Sequence, residues 1–453
     1  MAETRIVKPR PVSGFPEWLP EQKIVENRLL AIIREEFERH GFAQIETPAV
    51  ENREILSAKG VVDKEIYGLS RLAAAEGEDA STDLALHFDL TVPLARYVAQ
   101  HFGSLTFPFR RYQMQKVWRG ERPQAGRFRE FYQCDIDIVG NGSLSTLNDA
   151  EIPCVIHAIF SRAGIGDFVI RMNNRKVLQG FIRSLGLEDA KLPDALRVID
   201  ELEKIGAEAV ARQLGERTGL DGPAVDRLLR FITEAPDPAD LASLCDDPLF
   251  LEGARDVGEL FSALADLGLP ESAYVFDPSI ARGLDYYTGT VYETRLAALP
   301  EIGSICSGGR YDDLASTFTR QRLPGVGISI GLTRMLARLF DAGILRTGPQ
   351  TPAPVLVTVM NRDYLSASLG LAATLRNAGI ATELFTEPKK IGDQLKYAAK
   401  KGFAVAVIAG ETELAEGRVQ VKALATGDQM TVPRADMADL VARIIAGGIQ
   451  EGS

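Results

Sequence analysis

The segment Arg127-Phe128-Arg129-Glu130-Phe131-Tyr132-Gln133-Cys134-Asp135-Ile136-Asp137-Ile138-Val139 alternates polar with apolar side chains. Successive side chains of a strand point to opposite faces. A strand here therefore sets Arg127, Arg129, Phe131, Gln133, Asp135 and Asp137 on one side and Phe128, Tyr132, Cys134, Ile136 and Ile138 on the other. The polar side is graded, with cations first, then one aromatic ring, then an amide and two carboxylates. Guanidinium groups pair with phosphate oxygens and carboxylates with N–H donors, so such a face suits a ligand with phosphate at one end and an amine or imidazole at the other. The plain alternative is a half-exposed antiparallel strand whose polar side faces water.

Other stretches carry polar residues at spacings of the same kind. Upstream, Lys116-Val117-Trp118-Arg119-Gly120-Glu121 places an Arg two residues before a Glu, and a loop follows. Downstream, Gly325-Val326-Gly327-Ile328-Ser329-Ile330-Gly331-Leu332-Thr333-Arg334 reads as a strand of small residues entering a helix, which lets a ligand approach the backbone closely. Two glycine-punctuated stretches, Arg282-Gly283-Leu284-Asp285-Tyr286-Tyr287-Thr288-Gly289 with its continuation to Glu293, and Ser307-Gly308-Gly309-Arg310-Tyr311-Asp312, could be hairpins. Hairpin turns account for the glycines but do not require Arg282, Tyr287 and Tyr311. The histidines, His40, His87, His101 and His157, have no HExxH or triad spacing and read as structural or surface residues.

Arg-x-Glu, a loop and Arg-x-x-x-Phe resemble motif 2 of the class II aminoacyl-tRNA synthetases. The resemblance implies that Arg119 binds the α-phosphate of ATP, that Phe131 stacks on adenine and that Glu121 and Arg127 lie near the nucleotide. Gly41-Phe42-Ala43-Gln44-Ile45-Glu46-Thr47-Pro48 resembles motif 1, which implies a homodimer formed through that region. The glycine-rich strand resembles motif 3, with Arg334 as the γ-phosphate arginine; Thr333 stands where many members carry Glu. Residues 282–293 and 307–314 closely resemble the two histidine-pocket motifs of the histidyl-tRNA synthetases, and His87-Phe88-Asp89-Leu90-Thr91-Val92-Pro93-Leu94-Ala95-Arg96 resembles a further element of that family. By this resemblance Asp89, Thr91 and Gln133 hold the α-ammonium group of L-histidine, and Asp137, Tyr287 and Tyr311 contact its imidazole. Arg119 and Arg282 take the catalytic role at the α-phosphate, and Arg282 also counts among the histidine-binding residues. Mg²⁺ is expected on the ATP phosphates, with no dedicated protein metal site. An imidazole needs partners at two fixed angles, and a carboxylate opposite a phenol supplies both. Buried polar groups of that kind reject analogues by about 10⁴-fold, so no editing domain is expected.

These residues need elements to position them. Leu29, Ile32, Ile33 and Phe37 recur at helical spacing between Pro20 and Gly41, and Thr47 is pushed toward extended geometry by Pro48. Residues 105–140 are rich in aromatic, Arg and β-branched side chains, whereas about 190–266 is a run of amphipathic helical patterns in which acidic side chains outnumber basic ones. The expected fold is α/β (α+β): an antiparallel-sheet class II synthetase catalytic domain over residues 1–346 with that helical insertion, a proline-marked linker at 347–353, and a C-terminal α/β anticodon-binding domain over 354–453. Alternating strand and helix patterns predict parallel strands in the last of these.

At 453 residues and 45% hydrophobic, the chain can bury a large core. Its four cysteines, Cys134, Cys154, Cys245 and Cys306, form no CxxC pair, which disfavours a disulfide framework or thiolate zinc and fits a cytoplasmic protein. No apolar leader or bilayer-length stretch is present, so no membrane partner is expected. A net charge of −11 argues against indiscriminate nucleic-acid binding, so contact with tRNA(His) must be local. Lys389, Lys390, Lys396, Lys400 and Lys401 are the candidates, and a solvated charged helix explains them equally well without the resemblance. Two other functions fit less of the chain. A noncatalytic, histidine-binding regulatory subunit of ATP phosphoribosyltransferase shares the catalytic-domain fold but usually lacks the C-terminal domain and pocket residues. A prolyl or threonyl enzyme of class IIa is disfavoured by residues 282–293.

Overall fold

The computed structural model describes residues 7–58, 65–70, 83–122, 126–281, 283, 286–312, 315–387 and 389–448. They form two compact units, one built on residues 30–345 and the other on the chain from 346 onward together with residues 18–29. Helix α1 (Pro20–Arg39) buries the predicted stripe Leu29, Ile32, Ile33 and Phe37, and Gly41, with φ 75°, ends it in the left-handed region that glycine adopts without a Cβ penalty.

The first unit is organised on a sheet. In chain order its strands are β1 (Ala43–Gln44), β2 (Val50–Asn52), β3 (Leu84–Leu86), β4 (Phe109–Trp118), β5 (Glu130–Val139), β6 (Phe168–Asn174), β7 (Tyr274–Phe276), β8 (Thr290–Leu296), β9 (Cys306–Tyr311) and β10 (Gly325–Gly331). Eight of them share one sheet in the order β1-β4-β5-β10-β9-β8-β6-β7, while β2 and β3 pair separately. Every pairing in the large sheet is antiparallel except β1 with β4 and β6 with β7.

Helix α2 (Arg53–Ser57) follows β2 and α3 (Thr91–Gln100) follows β3. Helix α4 (Leu147–Ala163) is tied to the sheet by a buried ion pair. Arg310 of β9 reaches Asp149 at 2.6 Å and also donates to the carbonyls of Leu144 and Ser145, while Thr290 donates to the same carboxylate. In register, Arg310 lies opposite Val326, which lies opposite Ile138, so this anchor occupies the face of β5 that carries the apolar side chains.

The inserted helices share a core with the helix before them. Those are α5 (Arg175–Ser184), α6 (Leu192–Asp200), α7 (Leu202–Ile205), α8 (Ala207–Thr218), α9 (Gly222–Glu234) and α10 (Pro248–Asp266). Leu178, Phe181, Leu196, Leu214, Leu228, Phe231 and Phe250 interlock there, and the rings of Phe181 and Phe231 stack at 4.0 Å. Helix α11 (Leu332–Asp341) leaves directly from β10 and packs on β5.

The second unit contains β11 (Val355–Val357), α12 (Leu365–Asn377), β12 (Thr382–Leu384), α13 (Ile391–Lys401), β13 (Val405–Ile408), α14 (Glu411–Ala415), β14 (Arg418–Ala423), β15 (Gln429–Pro433) and α15 (Met437–Gly448), with strand order β12-β11-β13-β14-β15. Val355 and Val357 face one cluster and Leu356 another, so β11 is buried on both sides, as a central parallel strand must be. The expectation of parallel strands holds for β12, β11 and β13 only; β14 and β15 run antiparallel. The stretch between β13 and β14 holds one short helix, too little chain for a crossover back to a parallel start. Among the described residues no helix is long and apolar enough to cross a membrane.

Candidate active site

The polar face of β5 is buried. Gln133, Asp135 and Asp137 are 8%, 3% and 5% exposed, and Cys134, Ile136 and Ile138 on the other side are fully buried. The half-exposed alternative therefore fails. Neighbouring strands extend the polar face, because Arg111 and Gln113 of β4 sit opposite Asp137 and Asp135, and Gly327 and Ser329 of β10 sit opposite the same pair.

Asp137 is held on both sides. Its Oδ1 accepts from the Tyr311 hydroxyl at 2.8 Å, and its Oδ2 lies 2.5 Å from Nη2 of the fully buried Arg111. Burial pushes its carboxyl above the ordinary range, and the Arg111 guanidinium pulls against that. Glycine is required opposite, since a Cβ on Gly327 would come within 2.3 Å of Asp137 Oδ1. Asp137 and Tyr311 are thus together, as expected for an imidazole partner. Burial also raises the Tyr287 phenol, which is close enough to Asp137 and Asp135 to feel their charge. A Cβ on Gly309 would meet the Tyr287 ring at 2.8 Å, so this ring lies directly on the β9 backbone.

At the other end lies a cleft of roughly 290 Å³, lined by Arg119, Glu121, Arg127, Phe131, Gln133, Ser307, Ser329, Gly331 and Arg334 among others. Arg119 donates through Nε to the Phe88 carbonyl at 3.0 Å, and its Cζ sits 5.1 Å from the centre of the Phe131 ring. Arg127 is 3.5 Å from Glu121 in a largely solvated pair, and Arg129 donates to the Glu121 carbonyl at 3.0 Å. Arg334 donates to the Ile302 carbonyl. Thr333 has its own task. Its hydroxyl accepts the Tyr132 backbone N–H at 2.8 Å and ties the head of α11 to β5.

Asp89 precedes α3 and accepts the backbone N–H of Val92 at 3.1 Å; burial raises its carboxyl, while Arg119 is near enough to lower it. Thr91 is the first residue of α3 and lies half-buried. His87, by contrast, is buried with Nε2 2.7 Å from the Lys116 carbonyl and its ring stacked on Trp118, a structural position. Arg282 lies outside the described residues.

In the second unit Lys389, Lys390, Lys396 and Lys400 are exposed. Lys401 differs. It is 2.8 Å from Glu383 and 2.9 Å from the Tyr397 hydroxyl, and it lies over the Tyr397 and Phe403 rings. It serves packing within this unit.

Sequence reading did not assign roles to Arg111, Gln113, Ser329 or Cys306. A signal for the first two exists, since Arg111, Gln113 and Gln115 repeat every second residue along β4. Their partners lie on other strands, and pairing across strands is invisible to a one-dimensional pattern.

The arrangement can hold a polyanion beside an aromatic ring at one end and a small cationic or N–H-rich group at the other. The family model described as Histidyl-tRNA synthetase matches residues 14–335, and the one described as Anticodon binding domain matches residues 354–444. The chain is similar to the histidine–tRNA ligase of Xanthomonas axonopodis pv. citri, 46% identical over 98% of this chain and 100% of the relative. It is similar in structure to the histidyl-tRNA synthetase of Nostoc sp., with TM-score 0.90 and 42% identity over 97% of this chain and 100% of that one. A Bacillus halodurans protein described as an ATP phosphoribosyltransferase regulatory subunit/histidyl-tRNA synthetase shares the fold at TM-score 0.70 and 20% identity, covering 86% of this chain and 97% of its own.

Proposed function

The chain belongs to the histidyl-tRNA synthetase family and is a histidine–tRNA ligase, and from that premise we propose how its own residues divide the work. The carboxylate of L-histidine attacks the α-phosphorus of ATP, the bond to pyrophosphate breaks, and histidyl-adenylate forms. A ribose hydroxyl at the 3′ end of tRNA(His) then attacks the acyl carbonyl, and AMP leaves. Neither step needs a covalent enzyme nucleophile, so catalysis is positioning plus stabilisation of charge.

Arg119 and Arg282 hold the α-phosphate, Arg334 the γ-phosphate, and Phe131 the adenine, with Glu121 and Arg127 beside the nucleotide. Asp89, Thr91 and Gln133 take the α-ammonium group, and Asp137, Tyr287 and Tyr311 the imidazole. Support comes from the cleft lining, where Arg119, Arg127, Arg334 and Phe131 meet Gln133 at the edge of the buried carboxylates. Arg119, Arg127 and Arg334 line that cleft against one carboxylate, Glu121, among the described residues, and their guanidinium donors suit phosphate oxygens. Mg²⁺ carried on the ATP phosphates would supply charge neutralisation there. We further assign tRNA contact to the exposed lysines of α13 and its approach, a homodimer to the segment 41–48, and a cytoplasmic setting.

The observation that carries this reading is the gradient from the half-buried Arg119 and Phe131 of the cleft to the buried Gln133, Asp135 and Asp137. Pyrophosphate exchange with each of the twenty amino acids tests it, and histidine alone is expected to drive exchange. Arg119→Ala should lower the exchange rate by about 10²-fold or more, roughly 3 kcal/mol, as loss of a fixed transition-state donor does elsewhere. Arg282→Ala in the same assay tests the second cation. Histidine binding without exchange would instead identify a regulatory module.

A further inference from the structure

Beneath the assigned ammonium site lies a chain of three polar side chains. Gln133 donates through Nε2 to the Ser329 hydroxyl at 2.7 Å, and Ser329, directly opposite Asp135 in the β5–β10 ladder, is near enough to lower its carboxyl as a hydrogen-bonding partner. Gln133 and Asp135 are buried, and Oε1 of the one and Oδ1 of the other have no hydrogen-bond partner among the described residues. Asp135 helps offset the buried charge of Arg111, which already lies 2.5 Å from Asp137, yet a buried carboxylate oxygen without a partner is costly.

Donor inventory explains what the chain does. A hydroxyl has one proton, and an ionised carboxylate only accepts. With Asp135 ionised, Ser329 must donate to it and therefore accepts from the amide nitrogen of Gln133. That leaves Gln133 Oε1, an acceptor, as the end offered to the cleft. A protonated Asp135 can donate to Ser329, whose proton then passes to the Gln133 oxygen. The amide must turn, and its NH₂ would face an ammonium group, donor against donor.

We propose that Asp135 is a positioning residue which, through Ser329, sets the amide of Gln133 with its oxygen toward the cleft, so that the charge on this chain governs recognition of the substrate's α-ammonium group. The proposal rests on the reading of Gln133 given above. Groups facing Asp135 come from every neighbouring element: Arg111 on β4, Asp137 on β5, Ser329 on β10, Cys306 on β9, Asp89 before α3 and Tyr287 before β8. Burial, with Asp137 and Asp89, pushes the Asp135 carboxyl up to about 7 against the pull of Arg111 and Ser329, while the Cys306 thiol and the Tyr287 phenol are both pushed up and stay neutral. The acceptor arrangement is therefore complete above neutrality and fails as pH falls through it.

The test uses two competitive inhibitors of histidine-dependent pyrophosphate exchange with the full chain: histidinol, which keeps the amine, and imidazolepropionate, which lacks it. Both carry the imidazole, and each inhibition constant is referred to the concentration of the neutral-imidazole form, known from that ligand's own titration, so the ratio of the two is free of ring ionisation. In the wild type histidinol should lose its advantage by about tenfold or more as pH falls through neutrality, the value of one hydrogen bond to a charged group. In Asp135→Asn and in Ser329→Ala the ratio should not change with pH. Ser329→Ala removes a single oxygen and decides the matter if Asp135→Asn does not fold. A flat ratio in the wild type, or a wild-type pH response in either folded variant, would sink the proposal. Gln133→Ala separates the two levels. If it leaves the histidinol preference intact, the assignment of Gln133 itself is wrong; if it abolishes the preference while the other two variants behave as wild type, only the Asp135 relay is wrong.

Discussion

Thr333 shows how a single side chain can depart from its family's pattern and still be accounted for. Its hydroxyl accepts the Tyr132 N–H at 2.8 Å, where β5 meets the start of α11. Thr333→Val keeps the shape and removes the acceptor, and should destabilise the protein by about 1–3 kcal/mol in urea unfolding, whereas Thr333→Ser should cost far less. Equal midpoints for the two variants would contradict this role. Much of the site was legible at this scale. Period-two spacing holds from Phe131 to Asp137, with Phe131 and Gln133 lining the cleft and Asp135 and Asp137 buried beside it, but the strand begins only at Glu130, and Phe128, expected on the opposite side, lines the cleft as well. Arg111 and Ser329 were not legible as site residues. Each acquires its meaning from a carboxylate on a neighbouring strand, and the register that joins them is a property of the folded sheet.

Among the elements, α5 and the inserted helix α10 owe their closeness to two glycines. A Cβ on Gly180 of α5 would lie 2.3 Å from the Phe250 nitrogen of α10, and one on Gly253 of α10 would lie 2.6 Å from the Val177 nitrogen of α5. The obstacles are backbone atoms, so the helices themselves must move apart. Gly180→Ala or Gly253→Ala should each lower stability by about 1–3 kcal/mol through overpacking, measured as a shift in urea midpoint. An unchanged midpoint would mean that the two helices can separate without loss. Helix positions such as α1 were legible because an apolar stripe specifies both the period and the buried side. Strand direction in the C-terminal unit was legible only in part, because it depends on how much chain separates two strands. The turn through Gly427, with φ 81°, between β14 and β15 is a local antiparallel signal that the strand–helix alternation masked.

For the whole molecule, a chain carrying net charge −11 must approach a polyanion through a local patch. Replacing Lys396 and Lys400 by Glu should raise the KM for tRNA and reduce the salt dependence of charging by about one phosphate contact for each lysine that touches RNA, while histidine-dependent exchange stays as it was. A salt slope identical to wild type would remove these lysines from the interface. The arrangement around Lys401 adds a practical consequence. Its side chain is 24% exposed, with the amine bonded to Glu383 and Tyr397, whereas the Lys396 side chain is 85% exposed. An acylating reagent applied to the native protein should therefore modify Lys396 quickly and Lys401 slowly. Bound RNA should shield the fast site and leave the slow one unaltered, so that a footprinting experiment carries its own internal standard within a single helix.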